Sequence, residues 1–120
     1  MTTRTPSTDD PLHRTAVDLC TDLASLLLAH RESVRPADAY GAAMDCVRVA
    51  GHILRAGAAG SPREAMAAYR DARTSALRVM VALARAGAFA PFPPREVGPV
   101  ERRLHDLARA LGALGGASAA

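Results

Sequence analysis

Two cysteines, four histidines and twelve carboxylates are the side chains of this 120-residue sequence that could carry covalent, metal or acid–base chemistry. Their spacing argues against each use. Nucleophilic catalysis needs a Ser or Cys beside an oriented base, and neither Cys20 nor Cys46 has a Cys-His spacing or a glycine-rich elbow around it. Both fall inside apolar helical stretches without a Cys-x-x-Cys pattern, which fits two reduced core thiols. A di-metal centre in a helical bundle needs inward-facing Glu-x-x-His pairs, but His105 follows Glu101 by four residues and no second such pair exists. Asp10 with His13 and His30 with Glu32 lie near helix ends, where solvated groups are usual. Gly57-Ala58-Ala59-Gly60 lacks the Lys and Ser/Thr of a phosphate-binding loop. We therefore expect no catalytic residue, metal or cofactor, and read the chain as a non-enzyme.

What remains is charge. All fifteen basic residues are arginine and the net charge is +3, with six Arg against seven acids in residues 1–60 and nine Arg against five acids in residues 61–120. Such asymmetry points to an anionic partner, although arginine without lysine also follows from GC-rich coding. Arg48 and Arg55, Arg63 and Arg70, Arg78 and Arg85, and Arg102 and Arg109 are each seven apart, so each pair lies along one helix face. Arg63, Arg70, Arg78 and Arg85 turn away from Met66, Tyr69, Leu77 and Met80, a stripe suited to phosphate contacts without base reading. With Arg102 and Arg109 they form the candidate nucleic-acid-binding set; the alternative is an ordinary solvated face. Arg73 instead projects onto the apolar side, where a charge needs a partner such as Asp45 or a subunit boundary.

These residues must be positioned by helices. Alanine accounts for 27 residues, Phe and Tyr for two each, and Trp is absent, so helix formers dominate strand formers. A leader over residues 1–10 precedes a first helix that Asp9 or Asp10 caps and Pro11 opens, running to about Arg31 on a stripe of Leu12, Ala16, Leu19, Leu23, Leu26 and Leu27. Pro36 opens the second, whose main apolar face is Tyr40, Met44, Val47, Gly51 and Leu54, with Gly51 suggesting close backbone contact. A surplus set, Cys46, Val49, Ala50 and Ile53, together with Arg73, is the expected oligomer interface. Ser61-Pro62-Arg63-Glu64 is a capping box that starts a third helix ending at Gly87 in a left-handed stop. Pro99 places the start of the fourth helix near Gly98, with Val100, Leu104, Leu107, Leu111 and Leu114 as its apolar seam. Residues 115–120 read as a tail. Residues 11–114 then make an all-α, up-down-up-down antiparallel four-helix bundle. No N-terminal run resembles a secretion signal and no apolar run spans a membrane, so a soluble, cytoplasmic protein is expected.

With that architecture, residues 12–116 resemble the four-helix-bundle superfamily of the 23S rRNA intervening-sequence proteins and the accessory variability determinant (Avd) of diversity-generating retroelements. The resemblance is carried by Ala72 through Leu83, by the proline linker Pro91 to Pro94, and by Leu107-Ala108-Arg109-Ala110-Leu111-Gly112. Ile53-Leu54-Arg55-Ala56-Gly57 keeps only the apolar residues and the glycine of the Asn-Ile-Ala-Glu-Gly-like element of the intervening-sequence branch, which favours the Avd-like branch. This resemblance implies a homopentameric basic barrel that associates with RNA or DNA and with a reverse transcriptase and has no catalysis of its own. The rival reading is a helical adaptor that binds only protein. A third, a small-molecule-binding bundle, would need a roomy pocket, which an alanine-rich core disfavours.

Overall fold

A proline begins every helix of the computed structural model, which describes residues 10–116: α1 (Pro11–Ala29), α2 (Pro36–Gly57), α3 (Pro62–Ala86) and α4 (Pro94–Leu114). A first-turn proline sacrifices an N–H that has no helical partner anyway. Asp10 caps α1 by accepting the Leu12 N–H at 2.8 Å, so it belongs to the bundle rather than to a leader. Ser61 accepts the Glu64 N–H at 3.2 Å, while the Glu64 carboxylate reaches past the cap to the Gly60 N–H at 3.0 Å. Of the expected leader over residues 1–10 and tail over residues 115–120, residues 1–9 and 117–120 lie outside the described residues.

The four helices close a ring in chain order, with α2 on α3 the most extensive pairing and α1 on α4 the least. Neighbours run antiparallel, since His30 meets Glu96 while Asp22 meets Arg103. This is an all-α four-helix bundle with an up-down-up-down course. At one end Val34 and Phe92 from the two long connections are buried, and Phe92 meets the His30 ring edge-on at 5.4 Å.

On α1 the observed core residues Ala16, Leu19, Leu23, Leu26 and Leu27 are those the spacing selects. Helix α4 likewise buries Val100, Leu104, Leu107 and Leu111, with Leu114 of the expected seam 45% exposed, whereas α2 and α3 depart from the reading in a consistent way. On α2 the buried stripe is Ala42, Cys46, Val49, Ile53 and Ala56, whereas Tyr40 and Val47 are 69% and 56% exposed. On α3 the core is Ala68, Ala72, Ser75, Ala76, Val79, Leu83 and Ala86, and Leu77 is exposed. The smaller stripes face each other, which lets the two helix axes approach closely and pack along their length. Gly51, expected at a close contact, is exposed, and a Cβ there would meet nothing within 4 Å.

Two helix ends also differ. Gly87 ends α3 at φ −89°, not in the left-handed region, and the lone positive-φ residue among those described is Gly116 at φ 79°. Helix α4 begins at Pro94, four residues before the expected start, and carries Pro99 inside it. Pro99 has no N–H to offer the Arg95 carbonyl, and its ring is exposed, so its cost is not repaid by burial. Pro99→Ala should therefore stabilise the protein by about 1 to 2 kcal/mol, the restored helix bond outweighing the looser unfolded chain. A urea midpoint at or below wild type would show that the proline ring supports the α1/α4 seam.

Candidate nucleic-acid interface

The arginines divide into those already occupied and those that are not. Arg35 pairs with Asp38, Arg48 with Asp45 at 3.0 Å, Arg55 with Asp71 at 2.7 Å and Arg103 with Asp22. Arg31 donates to the Leu28 carbonyl and Arg70 donates through Nε to the Gly115 carbonyl at 2.7 Å. Arg70 thus ties the last turn of α4 to α3, and a Cβ at buried Gly115 would stand 2.9 Å from the Arg70 Cγ. That role engages the Arg70 Nε–H with an orphan helix-end carbonyl and leaves the other N–H donors of its guanidinium for an anion.

Arg63, Arg73, Arg78, Arg85, Arg95, Arg102 and Arg109 have no ion-pair or hydrogen-bond partner among the described residues, and all seven lie on α3 and α4. Arg73 is exposed rather than set against the core, and its expected partner Asp45 is engaged by Arg48. With Arg109 it lines an open groove of about 500 Å³ between α3 and α4, floored by Leu77, Met80, Ala108 and Gly112 with His105 alongside. Within the set chosen from spacing, Arg70 alone has a partner among the described residues, and Arg73 and Arg95 are partnerless arginines outside that set. Arg73 follows Arg70 by three residues, off the seven-residue rhythm, so periodicity passed over it.

Acidic partners also shape the remaining basic edge. His52 has its pKa lowered first by burial and then by Arg55, against an opposing pull from Asp71, with Arg48 adding the smallest lowering. It is neutral at pH 7 and adds no charge to the α2/α3 seam.

The expected oligomer interface needs a larger revision. Cys46 and Val49 are fully buried and Ile53 is 1% exposed, while Ala50 packs partly against the same core. These residues are occupied within the chain, and Arg73 lies on another helix across the α3/α4 groove. Outward on α1 and α2, between the exposed charges of Arg14, Asp18, Arg48 and Arg55, run two other stripes: Val17, Thr21, Ala24 and Leu28 on α1, and Tyr40, Val47 and Gly51 with part-buried Met44 and Leu54 on α2. Leu28 is 64% exposed and Val17 42%, and the two stripes contain no charged side chain. Their 4, 3 alternation is the seam spacing by which helices pack on other helices.

A smaller apolar hollow of about 290 Å³ lies between α3, α4 and the proline linker, lined by Met80, Leu83, Phe92, Val97 and Leu104 with Glu101 and His105 at its rim. It falls just below the ordinary range of small-ligand sites. Among the described residues no three His, Cys, Asp or Glu side chains gather as a metal site would require, and no helix is long and apolar enough to cross a membrane. Comparison with protein families, curated proteins and solved structures finds no match.

Proposed function

We propose that the chain is a non-catalytic accessory protein that self-associates through the uncharged stripes on the outer side of α1 and α2 and presents the arginines of α3 and α4 to the phosphate backbone of RNA or DNA. The observation that carries this reading is the segregation itself. Every described arginine without a partner lies on α3 or α4, while the stripes of α1 and α2 hold no charge. Side chains spread over two helices without an aromatic platform suit backbone contact, not base reading. Repeating them around a closed assembly would raise effective concentration and convert weak single sites into tight binding. The Avd resemblance supplies the finer expectations of a pentamer and of a reverse transcriptase as the protein partner.

Light scattering at micromolar concentration tests assembly, and the expected mass is a multiple of the monomer's. Val47→Glu, on the exposed face, should yield folded monomers whose melting temperature, unlike that of the wild type, does not depend on protein concentration. A wild-type monomer would end the self-association reading. For the second half, a gel shift with structured RNA or duplex DNA should appear at about 50 mM salt, where counterion release favours binding. Its absence would replace nucleic-acid binding with the protein-only adaptor, a reading the apolar-floored groove between Arg73 and Arg109 also accommodates.

A further inference from the structure

Cys20 and Cys46 are 26 residues apart in sequence, yet their sulfurs face each other across the α1/α2 seam at 3.2 Å. A disulfide requires about 2.05 Å between sulfurs, so closure asks for a movement of about 1 Å, within reach of small χ1 adjustments. The two thiols differ in access: Cys46 is fully buried, whereas Cys20 is half-buried at the edge of the seam. From this juxtaposition we propose that Cys20 and Cys46 are a reversible dithiol site that hydrogen peroxide converts into an intrachain disulfide joining α1 to α2. It holds whether or not the protein binds nucleic acid.

The asymmetry sets the order of events. Cys20, the thiol that solvent reaches, attacks first as thiolate. Its pKa is lowered, chiefly because the Cys46 thiol hydrogen-bonds to it, while Cys46 is pushed up by that same bond and by burial. The Cys20 sulfur displaces one peroxide oxygen as water and keeps the other as a sulfenic acid. Cys46 sulfur then attacks the Cys20 sulfur, the S–O bond breaks, and a second water leaves. Two thiols have lost two electrons and two protons, and one peroxide has become two waters. A thiol reductant reverses the bond by exchange at the Cys20 sulfur.

The test uses the full chain and intact-mass spectrometry. After a stoichiometric peroxide treatment the monomer should lose two hydrogens, cease to accept iodoacetamide, and recover both properties with dithiothreitol. Closing a 26-residue loop should also raise the melting temperature by ~10 °C or more. Cys20→Ser, altered at the half-exposed position, should fold and show neither the mass loss nor the rise. The proposal is overturned if wild type gains oxygen without losing the two hydrogens, if it forms covalent dimers on a non-reducing gel, or if the melting temperature of the oxidised monomer does not rise.

Discussion

Ile53→Glu is expected to unfold the chain, and Val47→Glu to leave it folded, although the two positions are six residues apart on one helix and both are apolar. Ile53 is 1% exposed on the side of α2 that meets the core, among Cys46, Val49 and Ala56. A carboxylate there loses its hydration with no cation among the core residues beside it, and the isoleucine's own burial is lost as well. Together these amount to about 4 kcal/mol or more, a large share of what a domain of this size holds in reserve. Val47 is 56% exposed, so the same substitution there should change the stability of the monomer's own fold by less than about 0.5 kcal/mol. Chemical denaturation of the two variants side by side is the check. A folded Ile53→Glu protein would mean that the stripe running through Cys46, Val49 and Ile53 is not the core.

Charge reversal at Arg73 and Arg109 should produce the largest effect on binding. These two line the one described groove with two partnerless arginines, and neither contributes to the bundle's own ion pairs. Each phosphate contact is worth about tenfold in affinity near 50 mM salt through counterion release, so Arg73→Glu with Arg109→Glu should weaken binding on the order of a hundredfold. The loss should be alike for unrelated sequences, and the slope of log affinity against log salt should fall in magnitude by about 2. Arg70→Glu is the contrasting variant. It should lower stability by freeing the Gly115 carbonyl, whereas the groove pair should not. Unchanged binding by the groove pair would move the interface to Arg78, Arg85 and Arg102 or remove it.

Punctuation in the sequence translated directly into structure: Asp10, Pro11, Pro36, Ser61 and Pro62 stand where helix starts are observed. The leucine-rich stripes of α1 and α4 were equally legible, because a large side chain at helical spacing has few places to go except the core. Helices α2 and α3 were not. There the sequence reading put exposed Tyr40, Val47 and Leu77 on the main apolar faces and passed over buried Ala42, Ala68 and Ala72. Closeness of approach decided otherwise, and closeness is a property of two helices together that no single periodicity encodes. The same limit applies to the basic residues. Spacing shows that Arg63, Arg70, Arg78 and Arg85 share a helix, but Arg70 is claimed by a carbonyl 45 residues away. Nor does spacing bring Cys20 to Cys46, whose meeting depends on the register between α1 and α2.

The ring of helices has a loose closure between its first and last members. At that seam α1 meets α4 least, across an open hollow of about 360 Å³ lined by Leu26, Ala29, Pro99 and Val100 and bridged at the surface by His30 with Glu96 and Asp22 with Arg103. Exposed bridges of this kind hold weakly and are screened by salt. The bundle is therefore built like a book whose spine is the α2/α3 pairing and whose fore-edge is the α1/α4 seam. Amide hydrogens of α1 should exchange with solvent ahead of those of α3, through partial openings that leave the spine intact. An α1 that lifts away can also dock into the vacated place on a neighbouring copy, which gives this fold a route to exchanged-helix dimers at high concentration.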